Sequence, residues 1–124
     1  MSPRFEAADL DLLRAEDEVE IETSAGEGGP THRTIIWVVV DDHDRVLIRS
    51  YRGPGARWFR EITARPDGSL HGRGRALAVR AIPATDGDRV TACSEGLRRK
   101  YAGHAAMPGM LRSYLETTLE LVPR

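Results

Sequence analysis

The sequence contains one cysteine, Cys93, one lysine, Lys100, and no apolar run as long as a membrane span. A single cysteine excludes an intramolecular disulfide and is typical of a reduced, cytoplasmic protein. The longest apolar run, residues 35–40, is far shorter than the roughly 18 to 20 residues that cross a bilayer, so we expect no membrane insertion. No cationic region followed by an apolar segment opens the chain, so we expect no secretory leader.

The chain also lacks an excess of charge of either sign. Its 18 basic and 19 acidic residues give a formal net charge of -1, with an isoelectric point near 6.4. Proteins that bind nucleic acid in general show a basic excess or a basic face. The balance therefore argues against a nucleic-acid partner.

What the chain does have is the composition of a single globular unit. Its 124 residues are 40% hydrophobic, which is enough to build one core. No internal repeat and no long linker divides the sequence. We therefore expect residues 1–124 to form one domain.

The hydrophobic pattern predicts an order of helix, three strands, short helix, two strands, helix and strand. Connections between successive strands are too short for parallel crossovers, so the sheet should be mostly antiparallel. Six such strands can curl into a small barrel, and the predicted class is α+β with flanking helices. The predicted helices are residues 5–15, a short helix bearing Trp58 and Ile62, and residues 86–101, and the predicted strands are residues 19–23, 35–40, 46–51, 69–72, 75–83 and 115–121.

A candidate phosphate site lies in the middle of the sequence. Residues 33–41 and 45–51 predict a buried β-hairpin with arginines and hydroxyls at its ends, and a glycine-bearing turn leads from it into a short helix. Guanidinium groups bind phosphate oxygens bidentately, hydroxyls add a hydrogen bond, and a helix N-terminus adds partial positive charge. We therefore expect an anion site where the hairpin meets the turn.

The arginines of this segment also have structural interpretations. Arg49 can point outward from its strand and pair with Glu20 or Glu22 across the sheet, and Arg33 can do the same. Arg57 stands in a Gly-Pro-Gly-Ala context, where a solvated arginine is the ordinary outcome. Both interpretations of each arginine remain open from the sequence.

Other conspicuous side chains favour structural roles. Trp58 is expected to anchor the core, Trp37 to lie in the core or at a dimer interface, and Cys93 to be a buried, inert thiol. The cluster at residues 41–44 contains possible metal ligands, but contiguous residues in a tight turn point in divergent directions. The remaining histidines lack zinc-site spacing, so we predict no metal site.

Several segments together resemble a known family. They read Ile-Glu-Thr at residues 21–23, His-Arg-Thr-Ile-Ile-Trp-Val-Val-Val at 32–40, Ile-Arg-Ser-Tyr-Arg-Gly at 48–53, Arg-Trp-Phe at 57–59 and Arg-Pro at 65–66. This series resembles the flavin- and deazaflavin-binding split β-barrel superfamily, which includes pyridoxamine-phosphate-oxidase-like proteins. Within it, the pattern and the later Lys100-Tyr101 pair are similar to DUF2255, a bacterial family of unknown function.

The resemblance implies a cofactor and an activity. In split-barrel enzymes of this type, basic and hydroxyl side chains of the central hairpin and the following turn hold the phosphate of FMN or F420. The cofactor transfers hydride to or from a small organic molecule, and two subunits commonly pair with the cofactor at their interface, so the resemblance implies a homodimer. The residues at matching positions here are Arg33, Thr34, Arg49, Ser50, Arg57 and Trp58.

A second interpretation follows from the glycine loop at residues 26–31. This loop carries the acidic Glu27, which would repel an anionic cofactor, and it lacks the basic loop found in F420-dependent relatives. The alternative is a cofactor-free split barrel that serves as a small-molecule binding protein or a non-redox enzyme. Its pocket would then hold an anionic or aromatic ligand.

Overall fold

The structure is a computed structural model that describes residues 4–124. Within these residues, seven strands form one sheet, which four α-helices and two short 3-10 helices connect and cover. The helices are α1 (Ala7–Ala15), α2 (Arg57–Ala64), α3 (Gly87–Lys100) and α4 (Met107–Arg112), with 3-10 turns at Gly53–Gly55 and Leu115–Thr117. The strands are β1 (Val19–Ser24), β2 (Thr31–Ile36), β3 (Val39–Val40), β4 (Val46–Ile48), β5 (Asp67–Gly72), β6 (Arg75–Pro83) and β7 (Leu119–Pro123). None of the helices in residues 4–124 has the length and hydropathy that a membrane span requires.

The sheet curls into a barrel-like shape. Its strand order is β2-β1-β5-β6-β7-β4-β3, and every neighbouring pair is antiparallel. β2 and β3 lie at opposite ends of this order, yet only Trp37 and Val38 separate them in the chain. Because three Cα-to-Cα steps of about 3.8 Å must join the two ends, the sheet curls until they nearly meet. The predicted α+β class and antiparallel barrel are confirmed, with seven strands rather than six.

The seventh strand arises because the predicted strand at residues 35–40 is broken at Val38. The backbone N–H of Val38 donates to the Tyr101 hydroxyl at 3.1 Å, and its carbonyl accepts from Lys100 Nζ at 2.8 Å. Side chains at the end of α3 thus take the backbone hydrogen bonds that a neighbouring strand would otherwise supply. Burial lowers the pKa of Lys100 to about 8 and raises the pKa of Tyr101 to about 12.

The predicted hairpin is much shorter than expected. Only Val39–Val40 pairs with β4, whereas β2 pairs with β1 along its whole length. β2 therefore has one solvent-exposed face, on which Ile35 is 61% exposed. The prediction of a strand buried on both faces is wrong for this part of the chain. Arg33 lies on β2 and Arg49 directly follows β4, and these two strands are not neighbours, so any approach between the two arginines depends on the curl of the sheet.

In the last third of the chain, the structure differs from the sequence prediction just before β7 and at α4. α3 begins at the predicted position, because the Asp86 side chain caps it by accepting from Arg89 N at 3.0 Å. The alternation at residues 115–121 predicted a strand throughout, but β7 begins only at Leu119. The hydroxyls of Thr117 and Thr118 donate back to carbonyls three residues earlier, which stabilises a 3-10 turn instead. α4 was not predicted.

Two apolar clusters hold the fold together. The larger one fills the inside of the curled sheet beneath α1 and α2. The smaller one lies on the other face of β3 and β4, where Val39 and Leu47 pack against Cys93 and Leu97 of α3. Gly96 is the point of closest approach, since a Cβ atom there would lie 1.9 Å from Cγ1 of Val39.

We expect a Gly96→Ala substitution to lower the free energy of unfolding by about 1 to 3 kcal/mol, because the added methyl group overpacks the contact between α3 and β3. Urea unfolding, monitored by circular dichroism, measures this change in the free energy of unfolding. Gly87→Ala, at the start of the same helix and facing open space, is the matched control and should be neutral or mildly stabilising. Equal stability of the two variants would show that the helix contact is looser than described.

Candidate functional site

A large open groove runs along the outside of β2 and reaches the start of α2 and the middle of α4. Its volume is about 1100 Å³, at the upper end of the range for small-molecule sites. Five of the six residues predicted from the sequence line it, while Ser50 does not. The lining residues are Glu18, Glu20, Arg33, Thr34, Ile35, Ile36, Trp37, Arg49, Tyr51, Arg52, Gly55, Ala56, Arg57, Trp58, Ala106 and Met110.

Arg49 forms the deepest cationic part of this groove. It is only 2% exposed, and no carboxylate of residues 4–124 lies within ion-pair distance. Neither Glu20 nor Glu22 pairs with it, so the outward-facing interpretation is wrong. Burial lowers the pKa of the Arg49 guanidinium. The side chain donates four hydrogen bonds to neutral oxygens: Nε to Thr118 Oγ1 (2.9 Å), Nη1 to Ser94 Oγ (3.0 Å) and Met110 O (2.8 Å), and Nη2 to Val90 O (3.1 Å).

Ser50 shapes the chain beneath the groove. Its hydroxyl is buried and donates to Gly53 O at 2.7 Å, and its backbone N–H donates to Thr117 Oγ1 at 3.0 Å. Gly53 has a φ of 81°, and a Cβ atom there would lie 2.6 Å from the Tyr114 ring. The Ser50 hydroxyl therefore fixes the turn before α2, in which only glycine fits.

Arg33 and Thr34 lie on the edge strand β2. The Arg33 side chain is 52% exposed, and its Nε lies 3.5 Å from Glu22 Oε1. The predicted ion pair with Glu22 is therefore present, but the distance between the charged atoms is long. Thr34 is half-buried in the next position and also lines the groove. Both side chains are therefore accessible to a ligand.

The start of α2 supplies the other basic end of the groove. Arg57 is exposed, and within the described part of the chain neither it nor Arg52 has an ion-pair partner. Ala56 precedes the helix and provides no side-chain cap, so the first N–H groups of α2 have no side-chain acceptor there. Trp58 is 6% exposed and joins the main core, as expected of an anchor, while one side of it borders the groove.

The network around Glu61 fixes the orientation of α2. Glu61 accepts from Thr23 Oγ1 at 2.7 Å and lies 3.0 Å from His32 Nδ1, which joins the helix to β1 and β2. Burial alone would raise the pKa of Glu61, but the hydrogen bonds from Thr23 and His32 and the charge of Arg57 lower it. The helix start that carries Arg57 is therefore held by polar contacts as well as by the core.

Sequence reasoning missed four further chemical groups of the groove. Arg52 lies three residues after Arg49 in the Arg-Ser-Tyr-Arg-Gly segment, so its position in the sequence could have indicated a role in the same site. Glu18 directly precedes β1 and Glu20 lies on it, but only the curl of the sheet places them in one groove with the arginines. Trp37 stacks on Tyr101 with ring centroids 4.1 Å apart and planes at 5°, and its place in the wall depends on the break at Val38.

Chemically, the groove is suited to an anion attached to a flat or apolar body. Three exposed guanidinium groups supply bidentate donors, and the tryptophans supply apolar surface. Arg49 adds buried positive charge, although four of its five N–H groups are already donated to protein oxygens. Glu18 and Glu20 also line the groove, so it carries carboxylates as well as guanidinium groups.

The remaining candidate groups have structural roles. Asp41 accepts hydrogen bonds from the N–H groups of His43 and Arg45, both at 2.9 Å, so the turn at residues 41–44 is held by that carboxylate. In residues 4–124 no cluster of three or more His, Cys, Asp or Glu side chains is arranged to hold a metal ion. Burial raises the pKa of the Cys93 thiol to about 11, which makes it a poor nucleophile at neutral pH.

Comparison with solved structures places this fold among split barrels. A conserved hypothetical protein, Rv2991 of Mycobacterium tuberculosis, superimposes with a TM-score of 0.69 at 14% identity, over 99% of this chain and 83% of that one. HutZ, the heme storage protein of Vibrio cholerae, gives 0.65 at 12% identity, over 98% and 91%. The F420-H2-dependent reductase FDR-A gives 0.62 at 14% identity, over 86% and 94%. At these identities the likeness shows the fold alone.

No curated protein matches the sequence. A family model does match, over residues 9–121, and it describes an uncharacterized protein conserved in bacteria, DUF2255. The match spans nearly all of the residues that build the sheet, the helices and the groove. The chain belongs to the DUF2255 family, and its fold is that of the split β-barrels with which it superimposes.

Proposed function

We propose that the chain binds a phosphorylated flavin-type cofactor, FMN or F420, in the groove, and oxidises or reduces a small organic molecule there. The observation that carries the proposal is Arg49, a buried cation beside a groove of about 1100 Å³ with no carboxylate partner in the described chain. A buried charge is unfavourable unless it is compensated. A ligand phosphate in the groove would supply the missing negative charge.

The residues present fit such a group. Arg33, Arg52 and Arg57 would hold phosphate oxygens by charge-assisted hydrogen bonds, and the uncapped start of α2 adds backbone donors. The Thr34 hydroxyl adds a neutral donor, while Ser50 acts only through the turn that it fixes. When bound, the cofactor would supply hydride transfer. The chain itself would bind and orient the cofactor and shield it from water, with Trp37 and Trp58 as apolar walls.

Structures with this fold support a redox-active or small-molecule ligand. One neighbour is an F420-H2-dependent reductase and another is a heme storage protein, so proteins with this fold act with different redox-active molecules.

A second candidate function is a cofactor-free small-molecule binding protein or a non-redox enzyme. Glu18 and Glu20 favour it, because two carboxylates in the groove would repel the more anionic cofactors. Glu27, by contrast, is an exposed loop residue that does not line the groove, so its charge is a weaker argument than the sequence implied.

We also propose that the protein is a homodimer. Ile35 is 61% exposed and Tyr51 is 57% exposed, and both border the groove beside the edge strand β2. A second copy would cover these apolar side chains with a two-fold interface, the commonest oligomer symmetry. Light scattering after size exclusion should give twice the mass of the chain, and a monomeric mass at micromolar concentration would contradict the dimer.

The cofactor proposal is tested by titrating FMN and F420 separately and following fluorescence. We expect Arg57→Ala to raise the dissociation constant about tenfold or more, because a hydrogen bond to a charged group contributes about 1.5 to 3 kcal/mol. Arg60→Ala is the matched control, since Arg60 is exposed on the same helix outside the groove. If neither cofactor binds the folded protein at micromolar concentration, the redox proposal fails and the binding-protein alternative stands.

A further inference from the structure

Three side chains form a charged row across three strands, and one of them, Arg33, lines the groove. His71 of β5 and Arg33 of β2 both lie beside Glu22 of β1, the strand between them. His71 Nε2 is 2.7 Å from Glu22 Oε1, and Arg33 Nε is 3.5 Å from the same oxygen. One carboxylate oxygen is thus shared between an imidazole and a guanidinium that borders the groove.

The two contacts differ in strength. The contact of His71 with Glu22 has ideal hydrogen-bond length, and both side chains are largely covered, at 17% and 27% exposure. Arg33 is 52% exposed and its contact is at the limit of a hydrogen bond. Among residues 4–124, Arg33 has no ion-pair partner other than Glu22. Arg33 is therefore held loosely, and its half-exposed guanidinium is accessible to a ligand.

We propose that Glu22 couples Arg33 to His71, so that protonation of His71 strengthens the binding of an anion on Arg33. The inference rests on the proposed function of the groove as an anion site and adds a means of regulating it. Glu22 and His71 act here as positioning residues, because neither lines the groove.

The direction follows from the charge of the row. With a neutral imidazole the three groups sum to zero, since the Glu22 carboxylate balances the Arg33 guanidinium. With a protonated imidazole the sum is one positive charge, and Glu22 is held more strongly by His71 than by Arg33. Histidine is the side chain that ordinarily changes charge between pH 5 and 8. Anion affinity should therefore rise as the pH falls through that range.

The neighbours of His71 on β1 and β6 include no basic side chain that would compete with it for Glu22. β1 presents Glu20 opposite His71 in the register, and Glu22 diagonally. β6 presents the uncharged Ala76 opposite His71 and Ala78 next along the same face. Among these neighbours on β1 and β6, the charged side chains are therefore Glu20 and Glu22.

The probe for the test is inorganic sulfate, whose charge does not change between pH 5.5 and 8.5. Binding is followed by the NMR shifts of the Arg33 and Thr34 amides. We expect the wild-type affinity to fall about three- to fivefold from pH 5.5 to 8.5, as one unit charge near a divalent anion requires in aqueous surroundings. His71→Gln should remove most of this dependence. His32→Gln and His104→Gln control for the other imidazoles near the groove and should retain it.

A second variant tests the role of the bridging carboxylate. Glu22→Gln should increase sulfate affinity at pH 8.5, because the neutral amide no longer competes for Arg33, whereas a merely structural role would decrease it. Sulfate binding with the same pH dependence in His71→Gln overturns the coupling but leaves the anion site intact. Absence of sulfate binding at every pH overturns the anion site and the coupling together.

Discussion

Replacing Arg49 with methionine is expected to lower the free energy of unfolding by about 3 kcal/mol and to abolish FMN binding. The side chain joins β4 to α3, to α4 and to the segment before β7 through its four hydrogen bonds. Methionine fills a similar volume but leaves all four acceptors without this donor. Because they are largely shielded from water, the lost bonds are only partly replaced.

An opposing effect must be weighed in this variant. Arg49 is a buried cation without a carboxylate partner, and burial lowers its pKa, so its removal relieves a desolvation penalty. Apolar replacement of buried charges is sometimes neutral for this reason. Here, however, the guanidinium donates to four oxygens that methionine cannot satisfy. We therefore expect the loss to dominate.

Arg49→Lys separates the two roles of this residue. Lysine keeps the positive charge but has only three donors from one nitrogen, and it lacks the planar fork that reaches four acceptors. We expect its stability to lie between those of the wild type and Arg49→Met, with weakened but measurable FMN binding. Urea unfolding measures the free energy of unfolding, and fluorescence titration measures the dissociation constant of FMN. A methionine variant as stable as the wild type would show that the hydrogen bonds contribute little net stability.

The parts of the fold that local patterns encode were predictable. Strict alternation in β1 and β6, and the helical spacing of Cys93, Leu97 and Tyr101 in α3, depend on neighbours within one element. The break at Val38 could not be predicted in this way. It depends on Lys100 and Tyr101, which are 62 and 63 residues away in the chain, and an unbroken apolar run carries no sign of them.

The same distinction applies to the groove. Arg57 and Trp58 follow a turn whose glycines are visible in the sequence, so their place at a helix start was predictable. The direction of Arg49 was not, because its acceptors lie 41 to 69 residues away. Glu18 and Glu20 were missed for a related reason: alternation tells which face of a strand they share, while the curl of the sheet decides what that face meets.

Tyr101→Phe is expected to lower the free energy of unfolding by about 2 kcal/mol, because it leaves a buried N–H without its acceptor. The hydroxyl accepts from Val38 N at 3.1 Å and donates to Asp17 O at 2.6 Å, so it joins α3 to the break in the strand and to the segment before β1. Phenylalanine retains the ring that stacks on Trp37 at 4.1 Å. The variant therefore removes the polar contacts and keeps the aromatic one.

This design also tests whether the break at Val38 shapes the groove. Trp37 lines the groove and is held by the stack on Tyr101, so loosening Val38 should shift the Trp37 fluorescence maximum and weaken FMN binding severalfold. Tyr114→Phe is the matched control, since Tyr114 is exposed outside the groove and its hydroxyl makes no hydrogen bond within residues 4–124. A Tyr101→Phe protein with unchanged stability and unchanged fluorescence would contradict this role of the hydroxyl. The hydrogen bonds from Lys100 Nζ to Val38 O and Leu13 O would then be sufficient to hold the break between β2 and β3.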